Sequence, residues 1–379
     1  IAIVNILLAI SLFGMDTSAL RFIPSALAKK EYGYVHGFIR FTYRLITFIS
    51  IICSIALFVF LLAKAKKFNI SFSEGLFWAV LLLPFLAFIY QASSVLRALQ
   101  QIKTSMLPIY ILLPIAISLG CAYYYNDHNK LTVDAAMMIN LICTIGVCIY
   151  INKKAGRTVN LLVPEAESIS RPGLWTSVSA ILFISTLLNM LLKQSDILFV
   201  SYFLGNTKAG IYGAATKIST LVALGLSVTD YVFMPKIAAL WEKRQIVRLQ
   251  KLVHEGSRQI LLITIPIAVV LLISGKWLLG LFGDAFSAAY LPLVILVVGQ
   301  LVNALTGMVG GLLTMTGNQK MFLLFYLMAF AAQAVLNILL IPSVGIIGAS
   351  IASSLGLILL NVIGYRFVRR KMKISASAF

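Results

Sequence analysis

Carboxylates are in short supply. The 379 residues hold 12 Asp and Glu against 31 Lys and Arg, and charged residues of both signs make up only 11% of the chain. A water-soluble domain carries roughly 25%, so that class is excluded. Histidine is scarcer still: His36 and His254 sit in basic links and His128 in another polar loop, all solvated positions. The four cysteines, Cys53, Cys121, Cys143 and Cys148, all fall in apolar segments without CxxC spacing. They read as packed thiols, and neither a disulfide framework nor a metal site is indicated. There is no GxSxG, HExxH or P-loop pattern, and no link between apolar runs exceeds about 25 residues. That leaves no room for an extramembrane catalytic domain and no nucleotide site. The chain is expected not to be an enzyme and to need no resident cofactor.

What is abundant is apolar sequence. Hydrophobic residues make up 60% of the chain and mean hydropathy is +0.98. Runs of about 20 apolar residues, the length of a bilayer-crossing helix, recur near 1–27, 41–63, 75–96, 105–124, 133–152, 173–193, 207–235, 259–281, 287–314, 321–341 and 345–367. The expectation is an all-α polytopic membrane protein with eleven visible spans. The first residue is Ile within an apolar run, with no signal-peptide pattern before it. A preceding helix is therefore expected, giving twelve spans in the full-length chain.

Basic residues gather in alternate links. With the 28–40 link inside, 22 of the 31 Lys and Arg fall on the cytoplasmic side, ending with Arg366, Arg369, Arg370, Lys371 and Lys373. Seven fall outside, among them the exceptional cluster Lys64, Lys66 and Lys67. This is the positive-inside bias, and it places the C-terminus in the cytoplasm. It also explains the net charge of +19 without nucleic acid, which is not an expected partner.

The chain repeats itself. RFIPSALAKKE (Arg21 to Glu31) parallels VFMPKIAALWE (Val232 to Glu242), and LRALQQIK (Leu96 to Lys103) parallels LLTMTGNQK (Leu312 to Lys320). Two pseudo-symmetric helical lobes around a central cavity are expected, residues 1–160 and 161–379, joined by the Pro-, Gly- and Ser-containing stretch 153–172.

Ionisable residues at membrane depth are costly and tend to face a protein interior or a water-filled path. The stretch from Lys193 to Glu242 holds two, Lys217 with eight uncharged residues before it and Asp230 with five after it, and twelve uncharged residues separate them. It reads as a helical hairpin with its bend at Gly205 to Lys208. Lys217 lies too deep to snorkel, and Asp230, about 20 Å away along a helix, is not its direct partner. Arg21 lies near the cytoplasmic end of the first visible span, and Arg40 and Arg44 stand one turn apart at an entrance. Those four cations are the candidate substrate-binding residues. Asp16, Asp196 and Asp230 are the candidate ion-coupling residues, for a proton or Na+. Pro84, Pro108, Pro114 and Pro266 are expected to kink their spans, and Gly307, Gly310 and Gly311 to permit bending or close contact.

Asp196, Leu204-Gly205, Ala209-Gly210, Tyr212, Ala215, Lys217 and Pro235 resemble the seventh- and eighth-helix pattern of polysaccharide-unit flippases, within the multidrug/oligosaccharidyl-lipid/polysaccharide exporter superfamily. GMDTSALRFIPSALAKKEY (Gly14 to Tyr32) is similar to that family's second helix and first cytoplasmic loop. NILLIPSVGIIGASIAS (Asn337 to Ser353) is similar to its eleventh-to-twelfth helix junction. The resemblance implies movement of an undecaprenyl-pyrophosphate-linked oligosaccharide from the inner to the outer leaflet of a bacterial plasma membrane by alternating access. The implied partners are that lipid-linked oligosaccharide, membrane lipids, a glycan polymerase and assembly proteins. Two other classes compete: an ion-coupled drug or cation exporter of the same superfamily, which should carry carboxylates at its centre, and a polytopic glycan polymerase or ligase, which should carry a large outer loop.

Overall fold

The computed structural model describes residues 2–68 and 74–377. The side chains of the Lys64–Lys67 cluster lie outside what is described. Among the described residues every regular element is helical. In order these are α1 (Ala2–Leu12), α2 (Met15–Lys29), α3 (Tyr32–Phe68), α4 (Glu74–Ala98), α5 (Ile102–Leu107), α6 (Leu113–His128) and α7 (Val133–Leu162). There follow α8 (Pro172–Ser219), α9 (Leu224–Glu242), α10 (Ile246–Gly280), α11 (Tyr290–Thr306), α12 (Val309–Met315), α13 (Gln319–Val344) and α14 (Ile346–Phe367). Among the described residues ten helical stretches are long and apolar enough to cross a membrane, one of them the 71-residue run Pro172–Glu242.

That long run is more than one crossing. Tyr212 Oη donates to Asp196 Oδ2 at 2.5 Å. In a straight helix residues 16 positions apart lie about 24 Å apart, so the chain must reverse between them. It does so at Gly205, whose φ of 84° and ψ of 167° are closed to residues with a Cβ. The hairpin expected at Gly205 is therefore present, and counting its two limbs gives eleven crossings. Pro172 begins α8 at the first helical position, where its missing N–H costs nothing.

Helices overrun the limits that hydropathy sets. The polar link expected at 28–40 is a two-residue break, with α3 already helical from Tyr32; α7 continues to Leu162, and α9 and α10 are separated by three residues. At α7, α9 and α10 the flanks are rich in Lys, Arg, Glu, Gln and Leu, all good helix formers, so they extend the helix into water after the apolar span ends; the α3 flank, YGYVHGFIR, is not of that composition yet is helical too. Arg40 and Arg44 consequently sit on α3 itself. Pro108 opens a π-helical turn, Pro108–Leu112, closed by the Leu113 N–H donating to Pro108 O.

The two sequence echoes end in the same device. Lys30, Gln100, Arg244 and Gly317 all have positive φ. In each case the following amide bonds back to a carbonyl five residues earlier: Glu31 to Ala26, Gln101 to Leu96, Gln245 to Leu240 and Asn318 to Leu313. These are Schellman caps. Gln100 and Gly317 each stand three residues before the matched Lys103 and Lys320, so that echo is structurally in register. The first echo is not. Lys30 follows Pro24 by six residues and Arg244 follows Pro235 by nine, so Glu31 lies beyond its cap while Glu242 is still helical.

The chain divides into two compact units, residues 1–183 and 184–379. In the first, Trp175 is fully buried among Tyr34, Phe38 and Phe41 of α3, and its Nε1–H donates to Tyr34 Oη at 2.6 Å. The extended segment 163–171 lies over Gly33 and Gly37, one turn apart on α3, where Ile169 N donates to Gly33 O at 2.9 Å. A Cβ on either glycine would run into the carbonyl of Glu167 or Ile169. In the second unit α14 packs through small residues: Gly348 fits against Leu340 of α13, Gly356 against Gln333, and Gly364 against Val309 of α12. With no water to expel, helices in lipid associate by such close backbone approach.

Candidate ion site within the second unit

Asp196 lies on the first limb of α8 and is 2% exposed. The reversal at Gly205 returns the second limb so that Tyr212 faces it, and both Tyr212 Oη and Ser353 Oγ of α14 donate to Oδ2, the latter at 2.6 Å. Its other oxygen accepts from Ile197 N at 3.0 Å. Gln333 of α13 ties the remaining helix in, donating from Nε2 to Leu192 O at 2.8 Å and to Ser353 Oγ at 3.3 Å. Four helical segments thus converge on one carboxylate.

All three donors are neutral. A buried charge without a counter-charge is among the most costly arrangements in a protein interior, so this carboxylate calls for a proton or a small cation. The same unit holds further unsatisfied polar atoms. Gln333 Oε1 and Ser195 Oγ are buried without a hydrogen-bond partner, as are both side-chain heteroatoms of Asn337, one turn from Gln333 on the same face of α13. Gln333 alone of these is tied by a hydrogen bond to a partner of the carboxylate, Ser353; amide and hydroxyl oxygens are ligands suited to a hard cation.

Of the residues singled out in the sequence, Asp196, Lys217 and Asp230 belong to this unit. Lys217 is exposed on the second limb of α8. It follows Tyr212 by five positions, about 140° around the helix, and so points away from Asp196. Asp230, on α9, has Oδ1 buried without a partner and stands opposite Gly311 of α12, where a Cβ would come to 3.5 Å from that oxygen. It is a second carboxylate with a buried oxygen, on a different helix pair. Asp16, Arg21, Arg40 and Arg44 belong to the first unit. Asp16 sits in the first turn of α2, partly exposed, favourably placed at a helix N-terminus. The Arg21 guanidinium lies over the Phe22 ring, 5.4 Å from its centroid. Arg40 and Arg44 are exposed one turn apart on α3, and Arg40 Nη1 donates to Ser168 Oγ at 3.5 Å. Gln333, Asn337 and Ser353 had no place among the candidates. Two amides four residues apart in an otherwise apolar span were the available signal.

A family model described as polysaccharide biosynthesis protein matches residues 22–295. Over 161 residues, 42% of this chain and 34% of the relative, the sequence is 21% identical to the "Probable low-salt glycan biosynthesis flippase Agl15" of Haloferax volcanii. Over 174 residues, 45% of this chain and 37% of the relative, it is 25% identical to the "Probable flippase AglR" of the same organism. The matched part therefore spans about a third of the length of those relatives. An uncharacterized membrane protein of Methanocaldococcus jannaschii, MJ1068, is 23% identical over 97% of this chain and 76% of its own. In fold the chain is similar to the Vibrio cholerae MATE transporter VcmN in its bent form, with TM-score 0.82, 14% identity and coverage of 97% and 86% of the two chains. It is equally similar to a MOP superfamily transporter from Pyrococcus furiosus described by a binding pocket of reverse polarity, with TM-score 0.81, 14% identity and coverage of 98% and 86%. The chain is a multi-pass membrane protein with the fold of the MOP superfamily, and it belongs to the polysaccharide biosynthesis protein family.

Proposed function

We propose that this chain moves a polyprenyl-pyrophosphate-linked oligosaccharide from the cytoplasmic to the outer leaflet of a plasma membrane, coupled to entry of a proton or Na+. The observation that carries the reading is how charge is distributed at membrane depth. The cation of the long hairpin, Lys217, is exposed, while the carboxylate Asp196 is sealed inside a helical unit. A substrate bearing a pyrophosphate needs cations it can reach, whereas a coupling ion needs a carboxylate the substrate cannot reach. Lys217, Arg21, Arg40 and Arg44 take the first role, as charge-assisted donors to phosphate oxygens. Asp196, with Tyr212 and Ser353 around it, takes the second. Asp16 and Asp230 stand as further ion-coupling candidates. A drug or cation exporter would need the reverse, with carboxylates presented to the substrate. The expected partners remain the lipid-linked glycan, surrounding lipids, and the polymerase and assembly proteins that consume the product.

The test is transport by the full-length protein in proteoliposomes holding a polyprenyl-pyrophosphate oligosaccharide. Lys217→Ala at unchanged membrane abundance should slow translocation by on the order of tenfold, the loss of one charge-assisted phosphate contact. Unaltered translocation would remove the assignment. Efflux of organic cations by the same preparation, without glycolipid movement, would favour the exporter.

A further inference from the structure

Where α11 stops at Thr306, it faces the end of α14. Between them is a cavity of about 530 Å³ lined by Thr306, Val362, Tyr365, Arg366, Arg369 and Arg370. The volume is that of a small-molecule site. Half of the lining is arginine, and none of it is a carboxylate. Arg366, Arg369 and Arg370 follow the i, i+3, i+4 spacing, which puts three guanidinium groups on one face. Lys371 is turned from that face, its Nζ 5.1 Å from the centroid of the Phe367 ring.

Three like charges on one turn repel each other, so the arrangement needs something to hold it. The chain after α14 supplies it. Val368 and Met372 are buried on the opposite side of a π-helical turn, and residues beyond it are pinned to α10. Gln250 makes a two-way pair with the Ser375 backbone, donating to O and accepting from N, each at 2.9 Å, and Ser257 Oγ donates to Ala376 O at 2.6 Å. Tyr365 Oη lies 3.4 Å from Ser377 Oγ. A cationic turn clamped from behind is pre-organised for an anion.

The position identifies the anion's carrier. Val362 lies within the apolar span Ile346–Met372, and Leu305, next to Thr306, and Leu355 of α14 are exposed. The cavity therefore opens where an apolar helix surface gives way to arginine, at headgroup level. Planar guanidinium forks match phosphate oxygens in pairs, and basic pockets between transmembrane helices take phospholipid headgroups. We infer that this cavity binds the phosphate group of a membrane lipid, with the acyl or prenyl chain lying along α11 and α14. The inference does not depend on what the protein transports.

The experiment measures thermal unfolding of the full chain in neutral detergent with three added probes: phosphatidylglycerol, a polyprenyl pyrophosphate and inorganic pyrophosphate. The expected result is saturable stabilisation by one or both lipids, weakened on the order of a hundredfold in R366Q/R369Q/R370Q, roughly fivefold for each arginine. The matched control R248Q/K251Q/R258Q removes equal charge from exposed positions on α10 and should keep the wild-type response. Should the triple variant fail to accumulate, R366Q and R370Q report the same loss singly. Stabilisation by phosphatidylglycerol alone identifies a bulk phospholipid, and by the polyprenyl pyrophosphate alone a carrier lipid. Equal losses in both triple variants would overturn a site in favour of general surface charge. Inorganic pyrophosphate binding as tightly as the lipids would overturn the lipid assignment.

Discussion

Asp196 accepts three hydrogen bonds and is offered no positive charge by those partners. Hydrogen bonds to an ionised group contribute about 1.5–3 kcal/mol each, so Tyr212→Phe should destabilise the protein by that amount when the site is ionised. Asp196→Asn removes the charge while keeping the shape. In the double variant the Tyr212→Phe cost should shrink to about 0.5–1.5 kcal/mol, the value of a neutral bond. Thermal unfolding of the four proteins closes the cycle, and strictly additive effects would show that the two groups do not interact. In transport, Asp196→Asn should lose the response to an imposed proton or Na+ gradient by about tenfold or more, while glycolipid binding at Lys217 is retained. Persistent gradient dependence would move the coupling role to Asp16 or Asp230.

At the scale of the element, Gly205 decides whether one long apolar run becomes a rod or a hairpin. Its backbone geometry is nearly exclusive to glycine, and placing alanine there costs about 1–3 kcal/mol. Gly205→Ala should lower the unfolding temperature and weaken the Asp196–Tyr212 contact, because that contact exists only when the limbs lie antiparallel. A circular dichroism melt indistinguishable from wild type would show that the reversal does not depend on glycine. This bend was legible in the sequence, since a Gly followed by Asn, Thr and Lys interrupts the hydropathy there. Helix ends were less legible. The charged flanks of α7, α9 and α10 are helical because their residues favour helix, whereas hydropathy records only where lipid stops. Register of the repeat was half legible. Short motifs fixed Gln100 against Gly317, but the three-residue offset between the Lys30 and Arg244 caps became visible only from backbone geometry.

For the molecule as a whole, the alternation of basic links predicts a cytoplasmic C-terminus. In a variant lacking Cys53, Cys121, Cys143 and Cys148, a single cysteine replacing Lys276 should react with a membrane-impermeant maleimide in intact cells. One replacing Lys373 should react only after permeabilisation, and the opposite pattern would invert the orientation. The sequence by itself determined the class of molecule, because eleven apolar runs of bilayer length leave the chain no aqueous fold, and it determined which side is basic. It also supplied the seven ionisable candidates, since charge within an apolar run is visible to simple counting. Tertiary structure decided what those charges do. Asp196 and Lys217 are both intramembrane ions to the sequence, yet a single reversal at Gly205 buries one among hydroxyls and leaves the other exposed. Ser353 and Gln333 join the site from more than 100 residues away, through helix packing that small side chains allow and that no local pattern records.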